Sequence, residues 1–242
     1  MNKLFKAKII KTLPGSIAES KGLKPGDSLL AIDNKAIRDL LDYQFAIYDT
    51  EKLSLLIEKE NAEQQTITIT KPADDDLGLI FESGVFDKIK PCNNNCIFCF
   101  VDQQPDGLRD SLYIKDDDYR LSYLQGTYIT LTNLTSSDKK RIEDLRLGPL
   151  YISVHTTNPE LRTKILNNKK ASDIMDKLIW LEDLGIPVHA QIVVCPGFND
   201  NDELIKTLKD LSKLENVDTV AVVPVGITRF RNNSPLKPFN KD

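Results

Sequence analysis

Three cysteines lie within eight residues of one another in Pro91-Cys92-Asn93-Asn94-Asn95-Cys96-Ile97-Phe98-Cys99-Phe100, a Cys-x-x-x-Cys-x-x-Cys spacing. Thiolates are soft ligands for iron–sulfur clusters and zinc, and three so close together converge on one metal centre. A closed structural zinc site is tetrahedral and takes four ligands. Only three are local here, and neither His155 nor His189 follows at finger-like spacing. A four-iron cluster held by three cysteines leaves one iron free for a small molecule, which a catalytic cluster needs and an electron-transfer cluster does not. Cys195 stands apart, with three readings open: a fourth thiolate, a radical relay or a small buried hydrophobe, the last favoured because free cysteines are often buried.

The rest of the 242-residue chain must position these thiols. With 32 basic against 36 acidic residues its formal charge is −4, which argues against wrapping nucleic acid or an anionic membrane. No apolar run approaches a membrane span, and the N-terminus lacks the apolar core and cleavage site of a signal peptide, so the expected location is the cytoplasm. Clustered cysteines in a reducing compartment usually mean metal or catalysis.

Composition shifts near residues 71–82, so two domains are expected, 1–82 and 83–242. In the first, Ser16 reads as a helix N-cap with Glu19 completing a capping box, and Gly22 as the helix end. Pro25-Gly26-Asp27 turns into a strand over 28–33, with further strands over 53–59 and 65–71. Residues 15–37 resemble the heart of a bacterial PDZ domain. The hydrophobic-Gly-hydrophobic loop of that family is missing ahead of Leu13 but present as Leu77-Gly78-Leu79-Ile80-Phe81, which implies a permuted order. Such a loop captures a peptide or protein C-terminus on backbone N–H groups, the peptide adding as a strand. The alternative is a scaffold that binds no free peptide.

From residue 83 strands and helices alternate. Strands are expected within 82–90 and over 126–131, 150–155, 188–195 and 219–225. Helices open at Ser137-Asp138, Asn158-Pro159-Glu160 and Asn201-Asp202-Glu203, and another covers 171–184 before Gly185. Such alternation implies a parallel sheet or barrel. Residues 226–242 read as loop.

The Cys-x-x-x-Cys-x-aromatic-Cys loop ahead of this series resembles the radical S-adenosylmethionine superfamily. More narrowly, the chain resembles a bacterial family in which a PDZ-like module precedes a radical S-adenosylmethionine domain, described as iron–sulfur oxidoreductases similar to molybdenum-cofactor and nitrogenase-cofactor maturation enzymes. The residues that carry the resemblance are 96–103, 115–122, 128–134 and 151–160. It implies an α/β fold: a partial (βα) TIM-like barrel preceded by a small, mainly β, PDZ-like domain. Relatives use six βα units and a further C-terminal domain. Only five strands are countable here, so the expectation is a chain lacking that domain.

The resemblance also implies that Cys92, Cys96 and Cys99 ligate a 4Fe–4S cluster whose free iron chelates S-adenosylmethionine. An external low-potential donor supplies one electron, and cleavage gives methionine and a 5′-deoxyadenosyl radical that abstracts hydrogen from a substrate the sequence does not name. Phe98 would sit beside the adenine. Where many relatives carry Gly-Gly-Glu for the methionyl amino group, this chain has Thr132 and Asn133. Ser153 and His155 on one strand, and His189, Gln191, Val193 and Cys195 on the next, each share a face by the two-residue period. Ser153, His155 and Gln191 are therefore candidate ribose or substrate contacts, set against the alternative of satisfied core hydrogen bonds. Asp116-Asp117-Asp118 is a candidate cation, substrate or packing segment, with Arg109, Lys115 and Arg120 as anion partners. Competing readings are an electron-transfer or redox-sensing iron–sulfur protein, with Cys195 as fourth ligand, and a peptide-binding adaptor without chemistry.

Overall fold

The computed structural model describes residues 3–231 and 235–239; positions 232–234 and 240–242 of the expected C-terminal loop, and residues 1–2 of the first expected domain, lie outside the described residues. The chain divides into two compact units, Met1–Ile89 and Lys90–Asp242.

In the first unit β1 (Ala7–Thr12), β2 (Ser28–Ile32), β3 (Lys35–Ala36), β4 (Lys52–Glu58), β5 (Gln64–Thr70) and β6 (Leu79–Phe81) form an antiparallel sheet. Its order is β5-β4-β2-β1-β6, with β3 paired to β2. β2 is buried along its whole length, whereas β4 buries alternate residues, Leu53, Leu55 and Ile57, into the core. Helix α1 (Ile17–Ser20) starts at Ser16, whose hydroxyl accepts the Glu19 N–H. The Glu19 carboxylate reaches the Gly15 N–H instead of that of Ser16, so the capping box is displaced by one residue.

A second helix, α2 (Leu40–Ile47), was not expected; Asp39 caps it by accepting the Asp42 N–H, and it buries Leu41, Tyr43 and Ile47. The Leu77–Phe81 loop lies against α1, and β6 pairs with β1 at the sheet edge. Gly78 is at φ +79°, and a Cβ there would fall 2.3 Å from the Ser16 Cβ, so only glycine fits. The Gly78 N–H already donates to the Asp76 carboxylate at 2.6 Å.

In the second unit β7 (Leu150–Ser153), β8 (Val188–Val194) and β9 (Val217–Pro224) form a parallel sheet in that order. Helices α3 (Tyr119–Gln125), α4 (Ser136–Leu145), α5 (Pro159–Leu166), α6 (Ile174–Asp183) and α7 (Asn201–Leu211) accompany it. α5 begins with Pro159 after Asn158, whose side chain accepts the Glu160 and Leu161 N–H groups. α4 starts one turn position earlier than expected, because Thr135 and Asp138 form the capping box.

Two expected strands fail. No strand forms within 82–90; that stretch carries one isolated bridge, Asp39 to Val85, inside the first unit. The strand expected over 126–131 is reduced to a single parallel bridge between Ile129 and Ile152. There Leu131 turns left-handed, and the Ser153 carbonyl, the next acceptor on β7, takes a hydrogen bond from Arg162, so the ladder stops. α3 follows the Asp116-Asp117-Asp118 run, with Asp118 as its cap, in a stretch where no helix was expected. The outcome is a mixed α/β chain in which the larger sheet is antiparallel and the smaller is parallel. Among the described residues no helix is long and apolar enough to cross a membrane.

Candidate functional site

The cysteine loop is held from all sides by backbone bonds. The Cys92 N–H donates to the Lys115 carbonyl at 2.9 Å. The Asn95 and Ile97 N–H groups donate to Leu166 and Ile165, the last carbonyls of α5, at 3.0 and 2.9 Å. These carbonyls have no partner within their own helix, so the loop completes the helix end while the helix fixes the loop. Ile97 and Phe98 pack against the buried Ile165, Leu166 and Ala171. From the opposite side Arg231 donates to the carbonyls of Cys99 and Cys96 at 2.8 and 3.0 Å. Gln103 donates to the Gly226 carbonyl and accepts two hydrogen bonds from Thr228, on its side-chain oxygen and its carbonyl, which ties residues 226–231 to the same loop.

Cys92, Cys96 and Cys99 all line one cavity of about 530 Å³. Ser153 and His155 at the end of β7, Gln191 and Val193 on β8, and Val223 and Pro224 on β9 line it as well. The cavity therefore sits at the carboxyl ends of the parallel strands, where open α/β sheets bind ligands. Phe98 is part of its wall, and its ring packs tilted on His155 with centroids 4.5 Å apart.

His155 is buried and in the left-handed region, φ +66°. Its Nδ1 accepts the Val193 N–H at 3.1 Å, so in the neutral ring the proton is on Nε2. Burial, with the Arg162 charge adding to it, lowers its pKa to about 3. Asn199, from the Cys195-Pro196-Gly197-Phe198-Asn199 turn, holds this backbone: it donates to the carbonyls of His155 and Val193 and accepts the Cys195 N–H.

Thr132 and Asn133 are not in the cavity wall. The Thr132 hydroxyl donates to the Asn94 side-chain oxygen at 3.1 Å, and the Asn133 amide donates to the carbonyls of Pro91 and Asp117. Both brace the cysteine loop. Cys195 is fully buried beside Val225, Leu236 and Phe198, its thiol turned to the Val193 carbonyl, and is outside the cavity wall. The three aspartates diverge: Asp116 lines the cavity, Asp117 holds Thr130, and Asp118 caps α3 and pairs with the buried Arg120 at 2.7 Å. Lys115 is paired with Asp102, and Arg109 is exposed ahead of a short 3-10 turn.

Sequence reasoning missed Arg162. It looks like an ordinary charged helix residue, yet it is fully buried and donates to the carbonyls of Val154, Ala171, Thr130 and Ser153. It also missed the amide pair Asn94 and Asn168, for which the run Asn93-Asn94-Asn95 between two cysteines was the available signal.

The donor set fits an iron–sulfur cluster. Burial raises the Cys92 thiol and pushes Cys96 up to about 12, with the neighbouring thiolates adding and the Arg162 charge opposing. The metal-free Cys92 and Cys96 thiols are therefore protonated, and a metal must displace those protons to bind. Among the described residues no three His, Cys, Asp or Glu side chains are arranged around a single ion. A cubane cluster asks for something else, since each cysteine takes a different iron. Three soft donors around one cavity, with one side of the cavity left to other residues, meet that demand.

A parallel-sheet unit with a three-cysteine loop at its carboxyl end, preceded by a small antiparallel unit, defines the class. Residues 71–221 match the family described as a radical SAM-like domain, and the chain belongs to that family. Residues 12–59 match a PDZ domain. The chain is also 30% identical over 99 residues to the GTP 3′,8-cyclase of Aquifex aeolicus (strain VF5), covering 38% of this chain and 31% of that protein. The chain thus spans about a third of the length of the curated relative it matches.

Proposed function

We propose that the chain is a radical S-adenosylmethionine enzyme: Cys92, Cys96 and Cys99 hold a 4Fe–4S cluster, and the cavity beside them binds S-adenosylmethionine and the substrate. The carrying observation is that all three thiols line one cavity with Phe98, Ser153, His155 and Gln191 at the carboxyl ends of parallel strands. The strand arc is read as part of a (βα) barrel. A cluster held by these three cysteines would supply one-electron reduction of S-adenosylmethionine, with the electron from an external low-potential donor and methionine and a 5′-deoxyadenosyl radical as the products. The chain's own residues do the positioning. Phe98 supplies a flat apolar surface for an adenine, Ser153 and Gln191 offer neutral polar groups to a ribose or substrate, and His155 presents an Nε2–H. Val193, Val223 and Pro224 keep the remaining wall apolar, which keeps water from a reactive carbon. The PDZ domain docks a peptide or protein C-terminus along β6.

The test is anaerobic reconstitution with iron and sulfide, then dithionite reduction with S-adenosylmethionine and chromatography. A 4Fe–4S stoichiometry and 5′-deoxyadenosine that both vanish in Cys96→Ala support the reading. A cluster with no cleavage product overturns the enzyme assignment, and no cluster overturns the ligand assignment.

A further inference from the structure

Between the first two cysteines lies Asn94, one of the few polar side chains of the loop that is buried. All four hydrogen-bonding positions of its amide are used. Its nitrogen donates to the Cys92 Sγ at 3.3 Å and to the Thr130 hydroxyl at 2.8 Å. Its oxygen accepts from the Asn168 amide at 2.7 Å and from Thr132 at 3.1 Å.

Which end of an amide is nitrogen has to be argued from its neighbours. Here the argument starts from a backbone group, whose polarity is fixed. The Lys170 N–H donates to the Asn168 Oδ1 at 2.9 Å, so Asn168 must present its nitrogen elsewhere, and it presents it to Asn94. Asn94 must then meet Asn168 with its oxygen, which leaves its nitrogen facing Cys92. A second chain agrees. The Asp117 carboxylate takes the Thr130 hydroxyl proton at 2.6 Å, so the Thr130 oxygen is left to accept from Asn94.

We propose that Asn94 is a positioning residue that donates an N–H···S hydrogen bond to the Cys92 ligand sulfur, and that Asn168, anchored on the Lys170 N–H, sets the direction of that bond. The effect on a cluster rests on the reading above. A hydrogen bond to a ligand sulfur stabilises the more negatively charged, reduced cluster, and so raises the reduction potential. It acts on one of three ligands and so makes the cluster environment unequal.

The experiment is a potentiometric titration, followed by electron paramagnetic resonance, of the reconstituted full chain and three variants. N94A removes the donor. N168D keeps the Lys170 contact but offers only acceptors, so Asn94 must turn its nitrogen to the introduced carboxylate and its oxygen to Cys92. K170Q removes one neighbouring positive charge while keeping the backbone N–H, and so controls for charge. N94A and N168D are expected to lower the reduction equilibrium constant by up to about tenfold, or about 59 mV for a one-electron couple. K170Q is expected to stay close to the wild type. An unchanged potential in N94A or N168D with intact cluster, or an equal shift in K170Q and N168D, overturns the proposal. If N94A loads no iron, N168D decides. If the wild type itself loads none, the cluster reading fails separately. The donor chain is then judged in the iron-free chain by the Asn94 side-chain amide protons, which are expected to be protected from exchange in the wild type; unprotected protons in the wild type overturn it.

Discussion

Replacing Arg162 by methionine is the most severe test of how the strand ends are held. The guanidinium is fully buried, and its three nitrogens reach four carbonyls: Val154 at 2.9 Å, Ala171 at 2.7 Å, Thr130 at 3.1 Å and Ser153 at 2.8 Å. Methionine fills much of the volume and donates nothing. Each buried carbonyl left without a donor costs about 1–3 kcal/mol, so the gross loss is roughly 4–12 kcal/mol. The variant escapes the cost of burying a charge, which is of the order of several kcal/mol. The net expectation is a destabilisation of about 3–5 kcal/mol, the range for removing one partner of a buried ionic arrangement. Lysine should fall between, because three protons on one nitrogen cannot span carbonyls arranged around a planar fork.

The chain carries its own reporter, since its single tryptophan, Trp180, is on α6 in the second unit and donates to Glu143 at 2.9 Å. Urea unfolding followed by Trp180 fluorescence should show the midpoint falling by about 2 M for R162M, taking a slope of about 2 kcal/mol/M. A midpoint within about 0.5 M of the wild type, about 1 kcal/mol on the same slope, would falsify the assignment of Arg162 as the tie between these segments.

Cys96→Ala should abolish iron incorporation, read by metal analysis and absorbance; retained iron at wild-type stoichiometry refutes the ligand set. Gly78→Val should destabilise the first unit by about 2–4 kcal/mol, from the positive φ and the clash with Ser16. Faster amide exchange in β1 and β6 with an unchanged iron content is the expected result, and wild-type exchange rates there count against the loop geometry. His155, whose folded pKa is depressed from 6.5 to about 3, is charged in the unfolded chain below about pH 6.5 but stays neutral when folded. Its contribution is present above pH 6.5 and is lost as the pH falls toward 3, at up to about 1.4 kcal/mol per pH unit. The iron-free chain should therefore lose stability between pH 6.5 and 4.5, and a flat denaturation profile across that window shows that His155 is not the buried neutral group described.

What could be read from the sequence was local in origin. The Cys92–Cys99 spacing needed no partner to be recognised. Asn158-Pro159 announced α5. The period-two row on β8 held for Gln191 and Val193, which line the cavity, whereas His155 lies beyond the end of β7 in left-handed backbone and reaches the cavity by that turn. The misses share a different cause. A strand over 126–131 reads well from apolar content, but Leu131 turns left-handed and the distant Arg162 takes the Ser153 carbonyl, and no local pattern reveals that. α2 depended on Asp39 as a cap within a stretch of mixed polarity.

Arg162, Asn94, Asn168 and Asn199 belong together physically. Each is polar, each looks suited to solvent, and each has its value only after folding has removed water from every other partner. Asn199 shows the consequence most directly. One fully buried amide ties the Cys195 N–H to the carbonyls of Val193 and His155, and thereby holds His155 in its left-handed conformation with Nδ1 on the Val193 N–H. The strain at His155 is stabilised by a turn forty-four residues away in sequence. The backbone behind the cavity wall is held because the polar groups of Arg162 and Asn199 are spent on its carbonyls. Among the described residues lining the cavity, Thr127 carries a buried hydroxyl without a partner, and that is a group a ligand would meet.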